Sequence, residues 1–245
     1  MSRFVALFIA CVLPLPCAMD PLPCALIVWN VGQGSWATLR CERTCQHFDA
    51  GGERAPWSLI TEACRGRRNL LYFSHWDYDH VRFTPQVPRR LGVSCVSARP
   101  GGEAPRKRAR LIAGLEACAI SPDASEVRSR VAAHSANDAS RVFVVEGVAL
   151  LPGDAPSKME RGWRLPTSIG LLLSGHHGSR TSTSDALLAH LPRLKQAIAS
   201  ARKEKYGHPH PIVSARLRAH GVAELRTEDW GSIYWHSRAL REDAL

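Results

Sequence analysis

The residues best suited to chemistry in this chain lie in one short run of polar side chains, residues 74–80. Imidazoles and carboxylates at this density repel or desolvate one another unless a cation offsets the cost. On extended backbone, alternate side chains of the run would project to one side. The run therefore predicts a metal site, the alternative being a polar surface loop. Its potential ligands are His75, Asp77, Asp79 and His80.

Two further segments place similar residues after apolar runs. Asp154 follows the predicted hairpin 141–151, and His176 and His177 follow the apolar run 169–174. Each signal is weak alone, because a Gly-Asp pair is most often a turn. Three strand ends that carry His or Asp together predict a dinuclear site, in which two metals lie about 3.5–4 Å apart and share a carboxylate.

A second cluster, Tyr206-Gly207-His208-Pro209-His210-Pro211, follows the predicted strand 197–201. Its prolines favour extended backbone, which would present both imidazoles. The structural alternative is a rigid loop that braces the next helix. Residues 193–218 hold seven Lys or Arg and one Glu, which suits a phosphate-binding track. A solvated helix face is the ordinary alternative.

The surrounding elements alternate between strands and helices, which predicts one layered α/β domain. Strands are expected within 25–39, 45–49, 70–74, 141–151, 169–174 and 197–201. Helices are expected within 55–69, from Ser182 to about His190, and over 211–220. The pattern Ser182 to Asp185 is typical of a helix start. Residues 99–110, with five bases and one acid, predict a flexible basic loop.

The composition is that of a globular protein, with 45% hydrophobic and 22% charged residues. This balance excludes a wholly disordered or multi-span membrane protein. The 32 Lys and Arg against 22 Asp and Glu give a net charge of +10, which favours an anionic partner such as nucleic acid. An Arg-rich surface with no such partner is the alternative.

The amino terminus predicts export. Arg3 followed by the apolar run Phe4 to Leu15 is typical of a signal peptide over residues 1–18. The domain would then cover 19–245, periplasmic or secreted, with no stable membrane insertion after removal of the signal. A lipoprotein anchored at Cys17 and a buried first strand are the alternatives.

Six of the eight cysteines remain after that removal. An oxidising compartment would allow up to three disulfides, for which 15 pairings exist. The spacing of Cys41 and Cys45 also permits zinc, although no second pair lies at finger-like spacing.

The ordered motifs resemble the metallo-β-lactamase-fold domain of the ComEC-type competence (DNA-internalisation) family over roughly residues 25–235, here as a stand-alone domain. They are Val31-Gly32-Gln33-Gly34, Phe48-Asp49-Ala50-Gly51-Gly52, the run 74–80, Pro152-Gly153-Asp154, His176-His177-Gly178-Ser179, the run 206–211 and Arg226-Thr227-Glu228.

The resemblance implies an αββα sandwich with two divalent metal ions, Mn²⁺ or Zn²⁺, at one edge. His75 and Asp77 would bind one metal, and Asp79 and His80 the other. Asp154 would bridge them, and either His176 or His177 would complete the second site. Asp49 would brace the metal loop, and Ser179, close to a helix start, would receive a phosphate. Substrate contacts would come from Lys205, Tyr206, His208 and His210.

The expected function is metal-dependent cleavage of DNA phosphodiester bonds, with Asp79, Asp154, His208 and His210 in catalytic roles. Asp77 stands where the wider superfamily has His, which shifts the metal preference toward harder cations such as Mn²⁺. Two alternatives stay open, because fold does not fix substrate. One is a hydrolase of small esters or cyclic phosphodiesters, and the other is an inactive DNA-binding module.

Overall fold

The computed structural model describes residues 24–119, 124–127 and 131–236. The predicted signal peptide lies outside them. Twelve strands occur there: β1 Ala25–Val28, β2 Ala37–Arg40, β3 Thr44–Phe48, β4 Arg68–Tyr72, β5 Ser94–Ala98, β6 Ala124–Val127, β7 Val142–Val145, β8 Ala149–Leu151, β9 Leu171–Leu173, β10 Gln196–Ala199, β11 Ala223–Arg226 and β12 Ile233–Trp235.

Short helices connect and cover the strands. Within the same described residues they are α1 Trp57–Cys64, α2 Tyr78–Val81, α3 Val87–Leu91, α4 Arg106–Ala109, α5 Ser157–Glu160, α6 Asp185–Ala189, α7 Lys203–Tyr206, α8 Pro211–Ala219 and α9 Thr227–Trp230. A single 3₁₀ turn covers Thr84–Gln86, and Gly175–Gly178 form a turn whose two central residues have positive φ. Searched over this part of the chain, no helix combines the length and apolarity that crossing a bilayer requires.

The strands form two six-stranded mixed sheets, ordered β12-β1-β2-β3-β4-β5 and β11-β10-β9-β8-β7-β6. In the first sheet β3, β4 and β5 run parallel. In the second, β8, β9, β10 and β11 run parallel. Parallel strands end at the same edge of a sheet, so each sheet gathers several carboxyl ends in one place.

Three apolar clusters form the layers. The central one packs the sheets together, with Leu26 and Phe48 of the first sheet and Phe143 and Leu151 of the second. A second joins the outer face of the first sheet to α1 and α3, and a third joins the other outer face to α6 and α8. Each large apolar side chain so buried stabilises the fold by about 1.5–3 kcal/mol. The expected layered α/β architecture is confirmed at this level.

The six described cysteines form three disulfides, Cys24–Cys41, Cys45–Cys64 and Cys95–Cys118. All three lie on the side of the first sheet. Cys24 and Cys41 flank β1 and β2, Cys45 of β3 is joined to Cys64 of α1, and Cys95 of β5 is joined to Cys118 in the segment after α4. Such bonds are typical of proteins that fold in an oxidising compartment, which fits the predicted export. Because Cys41 and Cys45 are both paired, the zinc alternative for these two residues is wrong.

Two local expectations are also wrong. The helix after the His pair begins at Asp185, and its cap is Ser184, whose hydroxyl oxygen accepts the backbone N–H of Leu187. Ser182 is fully buried and donates to the carbonyl of Ala155 instead. The basic segment 99–110 is not loop throughout, because α4 covers Arg106–Ala109.

Candidate metal centre

The candidate site lies where strands of both sheets end. In the first sheet, β3 leads to Asp49 and β4 leads to His75. In the second, β8 leads to Asp154 and β9 leads to the His176-His177 turn. Packing of the sheets brings these four ends into contact, although the residues are as far apart as 49 and 177 in the sequence.

The alternation of His75, Asp77 and Asp79 predicted extended backbone throughout, but the chain becomes helical at Tyr78. Asp77 has extended backbone and precedes α2, and Asp79 lies inside that helix. The helix forms because its first turn closes on itself, the N–H of His80 donating to the Asp77 carbonyl at 2.9 Å. The polar side chains still converge, because the turn folds the chain back toward the sheet.

Glycines let the neighbouring loop touch this turn. A Cβ on Gly51 would lie 2.2 Å from the carbonyl carbon of Asp79, and one on Gly34 would lie 2.8 Å from the Asp79 oxygen. That oxygen accepts the N–H of Ser35 at 3.0 Å. The glycines of both motifs are therefore needed for close backbone approach.

Asp154 is buried and lies between four imidazoles. Its Oδ2 is 3.7 Å from Nε2 of His75 and 3.4 Å from Nε2 of His176. Its Oδ1 is 3.2 Å from Nε2 of His80 and 3.6 Å from Nε2 of His177. Each carboxylate oxygen thus faces a different pair of imidazoles.

The carboxylates of Asp77 and Asp79 each lie beside a different imidazole, and these two imidazoles face different oxygens of Asp154. Oδ2 of Asp77 is 3.4 Å from Nε2 of His75, and Oδ2 of Asp79 is 3.3 Å from Nε2 of His177. The structure therefore brings all seven sequence-predicted ligands together in two groups. The sequence could not decide whether His176 or His177 would complete the second metal site. In the structure His177 lies beside Asp79 and His176 lies on the side of His75. The first group is His75, Asp77 and His176; the second is Asp79, His80 and His177.

The His pair has unusual backbone geometry. His176 and His177 have φ of 50° and 57°, in the left-handed region, which costs about 1–2 kcal/mol for a residue with a side chain. The N–H of His176 donates to the Gly153 carbonyl at 2.9 Å. This bond ties the two loops of the second sheet, and the conformation turns both rings toward Asp154.

A set of buried acceptors fixes the orientation of three imidazoles. Nδ1 of His80 is 2.8 Å from Oδ2 of Asp49, and Nδ1 of His177 is 3.2 Å from the Ser200 carbonyl. Nδ1 of His75 is 3.0 Å from Oγ of Ser74, which itself donates to Asp49. Because each Nδ1 proton has an acceptor, Nε2 is the nitrogen that faces the cluster, and it is free to bind a cation once its own proton has left.

The donor set fits divalent cations. Nε2 of His75 and Oδ1 of Asp154 are buried without a hydrogen-bond partner. Nε2 of His80 and Nε2 of His177 face each other at 3.3 Å, so a cation bound to both nitrogens would replace their protons and stabilise this close approach. Imidazole and carboxylate are the ligands that Zn²⁺ and Mn²⁺ take in such centres.

The charges within the cluster are strongly coupled. Burial opposes ionisation of Asp154, but the charges of His80 and His177 outweigh it and hold the Asp154 pKa well below its usual value. Burial likewise disfavours charge on His80, yet Asp154 and Asp49 raise its pKa well above the ordinary value. At the rim, burial lowers the pKa of His176.

The segment 206–211 lies beside the cluster. The ring of His208 is 6.3 Å from that of His176, and its Nδ1 is 3.4 Å from the amide nitrogen of Gln33. Burial and the neighbouring imidazoles lower the pKa of His208. His210 is placed differently, because its Nδ1 accepts the backbone N–H of Ile212 and caps α8.

Lys205 and Tyr206 meet a carboxylate that the sequence motifs did not single out. Oε1 of Glu53 accepts from Lys205 Nζ at 2.7 Å and from the Tyr206 hydroxyl at 3.3 Å. Glu53 also pairs with Arg202 at 3.2 Å. Although burial acts to raise it, the hydrogen bonds from Lys205, the Gln33 N–H and Arg202 lower the pKa of Glu53 to about 2.

Ser179, which the resemblance made a phosphate contact, is buried and hydrogen-bonded to Thr181, and the helix start expected close to it lies at Asp185. Glu160 was not singled out by any sequence motif. Glu160 accepts the N–H groups of Thr183 and Ser184 at 2.6 and 2.9 Å, which holds the loop after the His pair. An isolated Glu carries no sequence signal for such a contact.

One other group of donors, Cys45, His47 and Cys64, lies close together, but it does not make a metal site. The two cysteines share a disulfide. Nδ1 of His47 accepts from Trp36 at 3.2 Å, and its Nε2 is 3.0 Å from Oδ1 of Asn69. Burial lowers the pKa of His47 to about 4, so this histidine is a neutral core residue.

Comparison with known proteins shows that the chain is similar in sequence to competence proteins. It is 27% identical over 241 residues to competence protein ComA of Neisseria gonorrhoeae, covering 89% of this chain and 33% of that protein. It is 29% identical over 220 residues to ComE operon protein 3 of Bacillus subtilis, covering 79% and 28%. The chain resembles one part of these proteins.

A shorter match, 38% identical over 85 residues, joins 34% of the chain to 11% of recombination protein 2 of Haemophilus influenzae. The chain thus spans about a third or less of the length of the curated relatives it matches. No family model matches it.

Proposed function

We propose that this protein is a metal-dependent hydrolase of the metallo-β-lactamase fold that cleaves DNA phosphodiester bonds. The observation that carries the proposal is the position of Asp154, with one carboxylate oxygen toward each of two groups of His and Asp donors. The similarity to a competence protein supports DNA as the polymer that it handles.

The first group, His75, Asp77 and His176, would hold one divalent ion, and the second group would hold another. Asp154 would be shared between them. Two divalent cations bound in this way supply an activated water and offset the charge that develops on phosphate oxygens. The two carboxylates beside the imidazoles favour Mn²⁺ at least as strongly as Zn²⁺.

Outside the ligand set, His208 is the residue best placed to donate a hydrogen bond to substrate. Its Nδ1 faces the Gln33 amide N–H, so the proton of the neutral ring is on Nε2. The lowered pKa keeps the ring neutral near pH 7. We assign His208 as a hydrogen-bond donor, through Nε2–H, to the oxygen that leaves phosphorus, where it would stabilise the developing negative charge. His210, which caps α8, would keep the segment in position.

Cations near the cleft suit a polyanionic substrate. Lys205 and Tyr206 are exposed and held by Glu53 at the cleft side of α7. Arg108 of α4 donates to Oδ1 of Asp77. Both segments would contact DNA phosphates, with affinity that falls as salt rises. Ser179, buried behind the His turn, would act through the backbone of that turn.

The test is a nuclease assay on linear and circular DNA with Mn²⁺, Mg²⁺, Zn²⁺ or chelator. Asp154→Asn keeps the shape of the side chain but removes the shared charge. Stabilisation by two cations amounts to several kcal/mol, so the variant should lose on the order of 10³-fold in rate. Asp185→Asn, on an exposed carboxylate of α6, is the matched control and should cut normally.

Three results would separate this function from its rivals. Cutting that chelator and Asp154→Asn both abolish supports it. Hydrolysis of bis(p-nitrophenyl) phosphate with no cutting of DNA would replace it with a small-substrate enzyme. DNA binding with no metal uptake and no hydrolysis would replace it with a binding module.

A further inference from the structure

An arginine-rich groove lies at the opposite end of the parallel strands from the metal centre. It is an open groove of 510 Å³ between the segment after α1 and the end of α3. We call it the arginine groove; its cationic residues are Arg65, Arg67, Arg68, Arg89 and Arg90, and its lining among the described residues contains no carboxylate.

None of these five arginines forms an ion pair with a carboxylate over residues 24–119, 124–127 and 131–236. Two are held by uncharged partners. Arg67 donates to the carbonyls of Cys41 and Ala63, and Arg90 lies 4.8 Å over the ring of Trp57. The other three are exposed. Like charges gathered without counter-charges repel one another, and an anion would relieve that repulsion.

The groove is connected to the metal centre by one strand. Arg68 begins β4, and His75 lies seven residues further on, past its carboxyl end. At about 3.3 Å per residue this separation is about 23 Å. A DNA duplex rises about 3.4 Å per base pair, so about seven base pairs would span from the cleft to the groove.

We propose that the arginine groove is a second binding site for the phosphate backbone of the DNA that occupies the metal centre. This inference rests on the proposed function and names a contact remote from the reaction. The guanidinium fork binds phosphate oxygens in pairs, which suits arginine to this task. The groove is open and its arginines come from two separate segments, which favours a long polyanion over one small anion.

The test compares Arg65→Gln/Arg89→Gln with Arg161→Gln/Arg164→Gln. Arg161 and Arg164 are also exposed and follow α5, outside the arginine groove. The control variant therefore loses the same amount of positive charge at a different place on the surface. Binding of a 30-base-pair duplex is measured by fluorescence anisotropy in EDTA, so that no hydrolysis is needed. Losing two phosphate contacts should make the log–log salt slope shallower by about 2 and weaken binding at 0.1 M salt on the order of tenfold. The control pair should leave the slope unchanged.

Kinetics with the metal-loaded protein give the second readout. Arg65→Gln/Arg89→Gln should raise KM for the 30-base-pair duplex on the order of tenfold and leave kcat unchanged. It should leave bis(p-nitrophenyl) phosphate and a four-nucleotide strand unaffected, because neither reaches about 23 Å. Equal effects on short and long substrates would overturn the proposal, since the variant would then act through the fold.

The two proposals fail separately. If the wild type cuts DNA but the groove variant binds and cuts like the wild type, the arginine groove proposal is wrong and the hydrolase stands. If the wild type cuts nothing but the groove variant alone loses the salt-dependent binding, the hydrolase is wrong and the groove stands. Binding of vesicles with anionic lipid, lost in the groove variant while duplex binding is kept, would assign the groove to a membrane surface and overturn the DNA proposal.

Discussion

Replacement of Asp49 by Asn should weaken metal binding without disturbing the fold. Asp49 accepts from the backbone N–H and the hydroxyl of Ser74, and its Oδ2 lies 2.8 Å from Nδ1 of His80. It has φ of 58°, a conformation that Asn also adopts readily. The variant therefore tests the hydrogen bond behind His80 with little change in backbone or volume.

The expected size of the effect follows from that contact. An Asn oxygen can still accept from Ser74, but its amide nitrogen would then face Nδ1–H of His80, donor against donor. A hydrogen bond to a charged group contributes about 1.5–3 kcal/mol, and 1.36 kcal/mol is a factor of ten. Metal affinity should therefore fall about 10- to 150-fold, which overlaps the effect typical of outer-shell partners.

The assay is a competition titration of Mn²⁺ or Zn²⁺ against a chromophoric chelator at pH 7.5. Asp138→Asn is a useful control, because Asp138 is also a buried, hydrogen-bonded carboxylate but contacts Lys158 and the His134 N–H rather than a ligand. Metal affinity in Asp49→Asn equal to that of the wild type, with a folded protein by circular dichroism, would refute the reasoning. So would an equal loss of affinity in the control.

Two further predictions concern stability. Burial lowers the pKa of His47 to about 4, whereas in the unfolded chain the pKa is the ordinary 6.5. As pH falls, His47 is therefore protonated in the unfolded chain before it is protonated in the folded one. The free energy of unfolding is then highest above pH 6.5 and declines toward pH 4, with about 2 kcal/mol lost between pH 7 and 5. Urea unfolding at pH 7 and pH 5 should show this loss of unfolding free energy in the wild type but not in His47→Gln. The same pH dependence in both proteins would contradict the prediction. Glu160→Gln should lower the free energy of unfolding by about 1.5–3 kcal/mol, because Gln cannot accept all the bonds from Thr183 and Ser184. In the same urea experiment Glu126→Gln, on an exposed ion pair, should cost at most about 1 kcal/mol, and a similar loss in both variants would refute the buried-acceptor argument.

Local patterns predicted the elements well where apolar runs are long and the following residues are polar. The strand before His75 and the hairpin within 141–151 are examples. The helical turn that carries Asp79 was not predictable, because its spacing equally suits extended backbone. The division of His176 and His177 between two groups depends on how the sheets pack, and this packing cannot be predicted from the local sequence around two neighbouring residues. The role of Glu53 could not be predicted from a local motif, because the cations that it pairs with lie about 150 residues away in the sequence.

The split of the donor set between the two sheets ties assembly of the site to folding itself. His75 and Asp79 reach Asp154 only after the central apolar layer has closed, so the unfolded chain offers no comparable arrangement. An ion that binds only the closed form raises its stability by mass action, by about 2.7 kcal/mol when the free ion is 100-fold above its dissociation constant. If the site binds metal as proposed, metal supply in the compartment where the chain folds would therefore also contribute to the stability of the folded chain.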